Sequence, residues 1–129
     1  MSDRKPLILV VEDDPSVQNL LKVLLEAEGY EVIHAEDGLE GLVKMELQHP
    51  SLVILDLMMP NVTGDRVIDE IRGDVRLNRV PLIVVSGRHD VHESFDDVLG
   101  PNNVFAKPLD PAALLERVAE LLGEAGYEA

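Results

Sequence analysis

The chain has 129 residues, 46% of them hydrophobic, and a formal net charge of −14. That length is close to the commonest size of a single domain. An excess of 25 acidic over 11 basic side chains repels phosphate backbones, which sets direct DNA or RNA binding aside and asks for basic partners at any contact. There is no cysteine, hence no disulfide framework and no thiol chemistry, and with two Phe, two Tyr and no Trp the core must be aliphatic. The start, Met1 to Pro6, leads into an apolar run too short for a signal peptide or a membrane span, so a cytoplasmic protein with no membrane partner is expected.

In chain order, Leu7-Ile8-Leu9-Val10-Val11 reads as a strand that ends in Glu12 and Asp13. Asp14-Pro15 supplies an N-cap followed by proline at the first helical position. Val17, Leu20, Leu21 and Leu24 then follow the i, i+3, i+4, i+7 pattern of a core-facing helix, and Gly29 ends it. A short strand spans about Glu31–Ala35, and Asp37 caps a second helix expected to turn Leu39, Leu42, Val43 and Leu47 inward. The third strand, Leu52–Leu55, ends in Asp56. A loop through Met58, Met59 and Pro60 leads to Thr63, the expected cap of a helix with Val67, Ile68 and Ile71 on its apolar face.

The fourth strand, Leu82–Val85, ends in Ser86. The segment Gly87 to Asn103 offers a weak helix over about 89–99, stopped by Gly100-Pro101. A brief fifth strand, Val104–Ala106, is followed by Lys107-Pro108. Asp110-Pro111 repeats the cap-plus-proline start, and Leu114, Leu115, Val118, Leu121 and Leu122 give the last helix its apolar face. The expected division is one domain over residues 1–123 and a short acidic tail over 124–129.

Short apolar runs alternating with helical periods argue for βαβ units and a parallel sheet covered on both faces. The doubly wound order 2-1-3-4-5 brings the first and third strands together at the switch point, where open α/β sheets place their ligands. Glu12 and Asp13 would then stand beside Asp56, with Ser86 and Lys107 at the same edge. Clustered carboxylates call for a proton or a cation, and Mg²⁺ suits carboxylates with a carbonyl, waters and a phosphoryl oxygen. Asp56, alone at its strand end, is the candidate nucleophile toward phosphorus. Lys107 and Ser86 would contact phosphoryl oxygens.

Val10-Val11-Glu12-Asp13-Asp14, Asp56-Leu57-Met58-Met59-Pro60 with Gly64 further on, Val85-Ser86-Gly87 and Lys107-Pro108 together resemble the receiver domain of two-component response regulators, over nearly the whole chain. The resemblance implies a flavodoxin-like (βα)5 fold with Asp56 as phosphoacceptor. It implies Asp13 as a direct Mg²⁺ ligand, Glu12 acting through water and the Met58 carbonyl as a further ligand. Ser86 would be the switch hydroxyl, Lys107 the phosphate-binding lysine, and Lys107–Pro108 a cis bond. The donor would be a histidine kinase or phosphotransfer protein, and the output partner is unspecified. The domain would be a phosphorylation switch that assists its own phosphoryl transfer, not a turnover enzyme.

Three departures fall on the implied output face: Val104 where the family usually has Tyr or Phe, a segment between Ser86 and Lys107 about one residue short, and Gly100-Pro101-Asn102-Asn103 for a small-residue turn. Phosphoryl chemistry is expected intact and its readout unusual.

Plainer readings stand beside these. Glu12 and Asp13 alone would be a solvated turn before a helix, where acids are stabilising anyway. Asp14 is a cap rather than a ligand. His89 and His92 have no third ligand and read as solvated surface, as does the cluster Arg72, Arg76, Arg79. His34 and His49 have no evident partners. Among other function classes, a constitutive interaction module of the same fold is motivated by Val104 and opposed by the complete acid, hydroxyl and lysine set. An aspartyl hydrolase would want a second acid where Met58 stands, and a flavin protein would want a phosphate loop where Glu12-Asp13-Asp14 stands.

Overall fold

The computed structural model describes residues 5–56, 64–86, 103–106 and 110–124, with Gly64, Asp65, Ser86, Val104, Ala106 and Glu124 described by their backbone alone. In chain order the elements are β1 (Leu7–Val11), α1 (Pro15–Ala27), β2 (Glu31–Ala35), α2 (Gly38–Gln48), β3 (Leu52–Asp56), α3 (Gly64–Gly73), β4 (Leu82–Ser86), β5 (Val104–Ala106) and α4 (Pro111–Glu124). The strands form one parallel sheet in the order β2-β1-β3-β4-β5, the doubly wound order the sequence predicts. The expected Thr63 cap, the weak helix over 89–99 and the Gly100-Pro101-Asn102 turn lie outside the described residues. Among the described residues, no helix is long and apolar enough to cross a membrane.

The central strands β1, β3 and β4 are apolar except at the last residues of β3 and β4, Asp56 and Ser86, because both of their faces are buried. Alternate residues feed two cores. Leu9, Val11, Val53, Leu55 and Val84 pack with Met45 of α2 and Val67, Ile68 and Ile71 of α3. Ile8, Val10, Ile54, Ile83 and Val85 pack with Leu21 and Leu25 of α1 and Leu114 and Val118 of α4. Each such aliphatic side chain contributes about 1.5–3 kcal/mol on full burial. The ladder runs past the formal strand ends, since the Ser51 amide donates to the Leu7 carbonyl at 2.7 Å and Val84 donates to Asn103 at 2.8 Å.

The helix starts follow the sequence closely. Asp14 caps α1 by accepting the Ser16 amide at 2.8 Å, with Pro15 first in the helix. Asp37 caps α2 by accepting the Glu40 amide at 2.8 Å, while Glu40 reaches back to accept the Glu36 amide at 2.6 Å. Asp110 accepts the amides of Ala112 and Ala113 at the start of α4. At the other ends, Gly29 takes φ +92° after α1 as expected, but α2 ends on His49 at φ 51°, a left-handed conformation in a side-chain-bearing residue.

Two helix phases differ from the sequence reading. Leu39, Val43 and Leu47 are 59%, 49% and 70% exposed, and α2 instead buries Gly38, Gly41 and Met45, with Leu42 half-buried. The cause is close approach: a Cβ on Gly41 would lie 2.9 Å from Val11 Cγ2, so α2 sits on β1 through a position with no side chain. In α1, Leu20 and Val23 are exposed while Val17, Leu21 and Leu25 turn inward. Gln18 is drawn toward the end of β1, where its amide nitrogen donates to the Glu12 carbonyl. That phase leaves Leu20, two positions on, facing away.

Two substitutions test these features. Helix propensity alone would favour Gly41→Ala by about 1 kcal/mol, whereas overpacking against Val11 costs about 1–3 kcal/mol. Urea unfolding should show Gly41→Ala destabilising in the natural background and stabilising in Val11→Ala. His49→Gly should raise stability by about 0.5–1 kcal/mol in the same assay, because glycine removes the left-handed strain at a modest entropic cost.

Candidate functional site

The parallel register Leu9↔Val53, Val10↔Ile54 and Val11↔Leu55 brings the next residues of both strands, Glu12 and Asp56, to one edge. It is the carboxyl edge of the sheet, at the point where the strand order reverses. Glu12 is held twice by its backbone: its amide donates to the Ala35 carbonyl at 3.0 Å, and its own carbonyl accepts from Gln18. Its side-chain Oε2 accepts the Asp14 amide at 3.2 Å. Asp14 therefore orders the turn and caps α1 without joining the acid group, as its sequence position suggests.

Glu12, Asp13 and Asp56 each offer one carboxylate oxygen, and the three atoms lie within 4.8 Å of one another. Glu12 and Asp56 are only 3% exposed, while Asp13 is exposed. Two unit charges at that separation repel by about 3 kcal/mol at an effective dielectric constant near ~20. The arrangement therefore favours a counter-charge. All-oxygen donors without histidine or thiolate suit a hard divalent ion such as Mg²⁺ rather than a transition metal. The exposed Asp13 leaves one side of the group open to water and to an incoming oxygen ligand. Among the described residues, this is the one group of three acids or histidines close enough to share an ion.

The remaining expected residues are placed only by the backbone. Asp56 pairs with Val85, the residue before Ser86, and Ser86 pairs with Ala106, so the ends of β3, β4 and β5 adjoin. Val104 pairs with Val84. Phe105 pairs with Val85 and packs on the α1/α4 side, the face opposite that of Val84, as the alternation of a strand requires. Met58, Lys107, Pro108, His89 and His92 lie outside the described residues. Sequence reasoning missed Gln18 and Gly41. Gln18 carried no signal, but two glycines and Met45 at helical spacing did mark an alternative face of α2.

A sequence model of the response regulator receiver domain matches residues 8–119. Among curated proteins, the alkaline phosphatase synthesis transcriptional regulatory protein PhoP of Bacillus subtilis is 36% identical over 119 residues, which cover 89% of this chain and 48% of PhoP. The DNA-binding dual master transcriptional regulator RpaA of Synechocystis sp. is 34% identical over 120 residues, covering 91% of this chain and 49% of RpaA. The chain spans about half the length of the curated relatives it matches. A solved response regulator receiver protein from Pseudomonas putida superposes with a TM-score of 0.82 at 33% identity, covering 92% of this chain and 99% of that one.

Relief of crowding gives a stability test. In a divalent-free buffer, Asp56→Asn should be at least as stable as the natural chain, with a gain of about 1 kcal/mol, because one of three mutually repelling charges is gone. A large loss of stability would contradict the acid group as described. Mg²⁺ at about a hundredfold excess over its dissociation constant should stabilise the natural chain by about 2.7 kcal/mol. Thermal melts should show that rise sharply reduced in Asp13→Asn.

Proposed function

The chain belongs to the response regulator receiver domain family, and we propose on that footing that Asp56 accepts a phosphoryl group from a histidine kinase or histidine phosphotransfer protein. The observation that carries this reading is the convergence of Glu12, Asp13 and Asp56 at the β1/β3 edge, two of them buried. A carboxylate oxygen of Asp56 bonds to phosphorus as the phosphorus–nitrogen bond to the donor imidazole breaks, and the bonding pair leaves with the nitrogen. The products are an aspartyl phosphate and a free histidine.

A bound Mg²⁺ would supply the charge screening that lets one anion approach another and would stabilise charge on the phosphoryl oxygens. In this reading Asp13 and Asp56 are its direct protein ligands, with the Met58 carbonyl, and Glu12 acts through a water. Ser86 donates a hydrogen bond to one phosphoryl oxygen and Lys107 pairs with another. Residues 1–123 form the working unit, residues 124–129 a tail, and the setting is the cytoplasm. The domain is a switch that assists its own phosphorylation and dephosphorylation, not a turnover enzyme. Its modified form shifts a two-state equilibrium toward an output partner. With Val104 at the position that is usually aromatic, the response cannot rest on the rotation of a ring there. DNA binding, named for RpaA, belongs to a protein about twice as long, and the charge of −14 argues against DNA contact by these residues.

The deciding experiment is intact mass after incubation with acetyl phosphate, with and without Mg²⁺, beside Asp56→Asn. One phosphoryl group is expected, dependent on Mg²⁺ and absent from the variant. Lys107→Ala should then take up phosphoryl yet fail to show the natural chain's change on phosphorylation. If neither acetyl phosphate nor a phosphorylated histidine phosphotransfer protein modifies Asp56, the domain is instead a constitutive interaction module, the reading that Val104 favours.

A further inference from the structure

Leu39, Val43 and Leu47 are spaced i, i+4, i+8, so they form one continuous apolar stripe along the outer side of α2. Among the described residues, none of the three belongs to a buried core cluster. The inward face of the helix is already complete with Gly38, Gly41, Leu42 and Met45. Val43 also lines a cleft of about 140 Å³ between α2 and the end of α3, whose other walls are Leu42, Leu77, Glu46, Glu70 and Asp74. Apolar walls under three carboxylates suit a long cationic side chain, which buries its stem and pairs its head.

The chain itself demonstrates that chemistry. The Arg76 guanidinium lies 2.7 Å from Glu46 Oε1 and 2.9 Å from Asp74 Oδ2, and it holds the Asp74 carboxyl below the usual carboxylate range. Arg76 stays largely exposed while it makes these pairs. We propose that the outer stripe of α2, with the acidic cleft beside it, docks an amphipathic protein helix that presents apolar side chains at i, i+4 spacing and lysine or arginine along its flank.

Charge selects this occupant. A second copy would bring Glu46, Glu70 and Asp74 of both chains to one seam, on molecules that each carry −14. The basic groups nearby are engaged, Arg76 as above, Arg66 with Glu70 at 3.8 Å across an exposed i, i+4 pair, and Lys44 Nζ with the His34 carbonyl at 2.6 Å. An anionic membrane or a nucleic acid meets the same repulsion. A basic helix gains from both the stripe and the rim. The stripe contains no residue of the acid group at the strand ends, so docking is testable whether or not Asp56 is modified.

The probe is a labelled synthetic helical peptide of leucine and lysine, Leu on one face and Lys on the other, read by fluorescence anisotropy at low and high salt. A peptide with Glu replacing Lys serves as control. Val43→Gln/Leu47→Gln leaves the net charge unchanged and alters only exposed positions, as does the comparison pair Leu20→Gln/Val23→Gln on α1; circular dichroism verifies both folds. The expected result is a roughly tenfold or greater loss of Leu/Lys peptide affinity in the α2 pair, with little change in the α1 pair. Glu46→Gln/Glu70→Gln should weaken binding and flatten its salt dependence. Equal affinity for both Gln pairs, no binding of the Leu/Lys peptide, or equal binding of the Leu/Glu peptide would overturn the proposal. So would a dimer in sedimentation that Val43→Gln/Leu47→Gln dissolves, which would make a second copy the occupant.

Discussion

Everything at the acidic edge rests on the parallel pairing of β1 with β3. Those strands are more than forty residues apart in sequence, and their register, Val11 against Leu55, makes Glu12 and Asp56 neighbours. The carboxylates would separate if they could. They are held because the strands beneath them are buried on both faces, and a slip by one residue would turn each apolar set to the wrong side. The aliphatic core thus bears the electrostatic cost of the site. The strand order also reverses at this pair, the place where open parallel sheets receive their ligands.

Within the acid group, burial divides the labour. Glu12 and Asp56 lie in the sheet edge, where a charge is poorly solvated and a bound cation is worth most. Asp13 stands outside, reached by water. The residues around them are spent on order rather than chemistry: Asp14 on the first turn of α1 and on Glu12, Gln18 on the Glu12 carbonyl. A charged turn of three consecutive acids therefore contains two kinds of carboxylate, one kind set against another strand and one kind set against its own helix.

The strands, their order and the acid group were legible because each has a local signature. Four apolar runs end in polar residues, Asp-Pro twice announces a helix, and a parallel sheet permits few orders. Helix rotation was less legible. In α2 the apolar count points to Leu39, Val43 and Leu47, yet the structure turns Gly38, Gly41 and Met45 inward, since the helix can approach β1 only where there is no side chain. In α1 a polar residue, Gln18, is drawn toward the strand end and Leu20 is turned out. Apolar periodicity measures how much surface wants to be buried. It does not report where a neighbouring backbone comes closest, and that is a tertiary fact.

The contact of Gly41 with Val11 reaches beyond packing. Val11 immediately precedes Glu12, so the chain passes from a helix position with no side chain to a carboxylate of the acid group through one strand residue. There is no compliant layer between helix and strand to absorb a change of size. Position 41 would therefore accept only residues that fit beside the Val11 side chain, although it offers no atom to any ligand. Restriction at such a place would record the room left beside one valine side chain, and a reader of sequences alone would mistake it for chemistry.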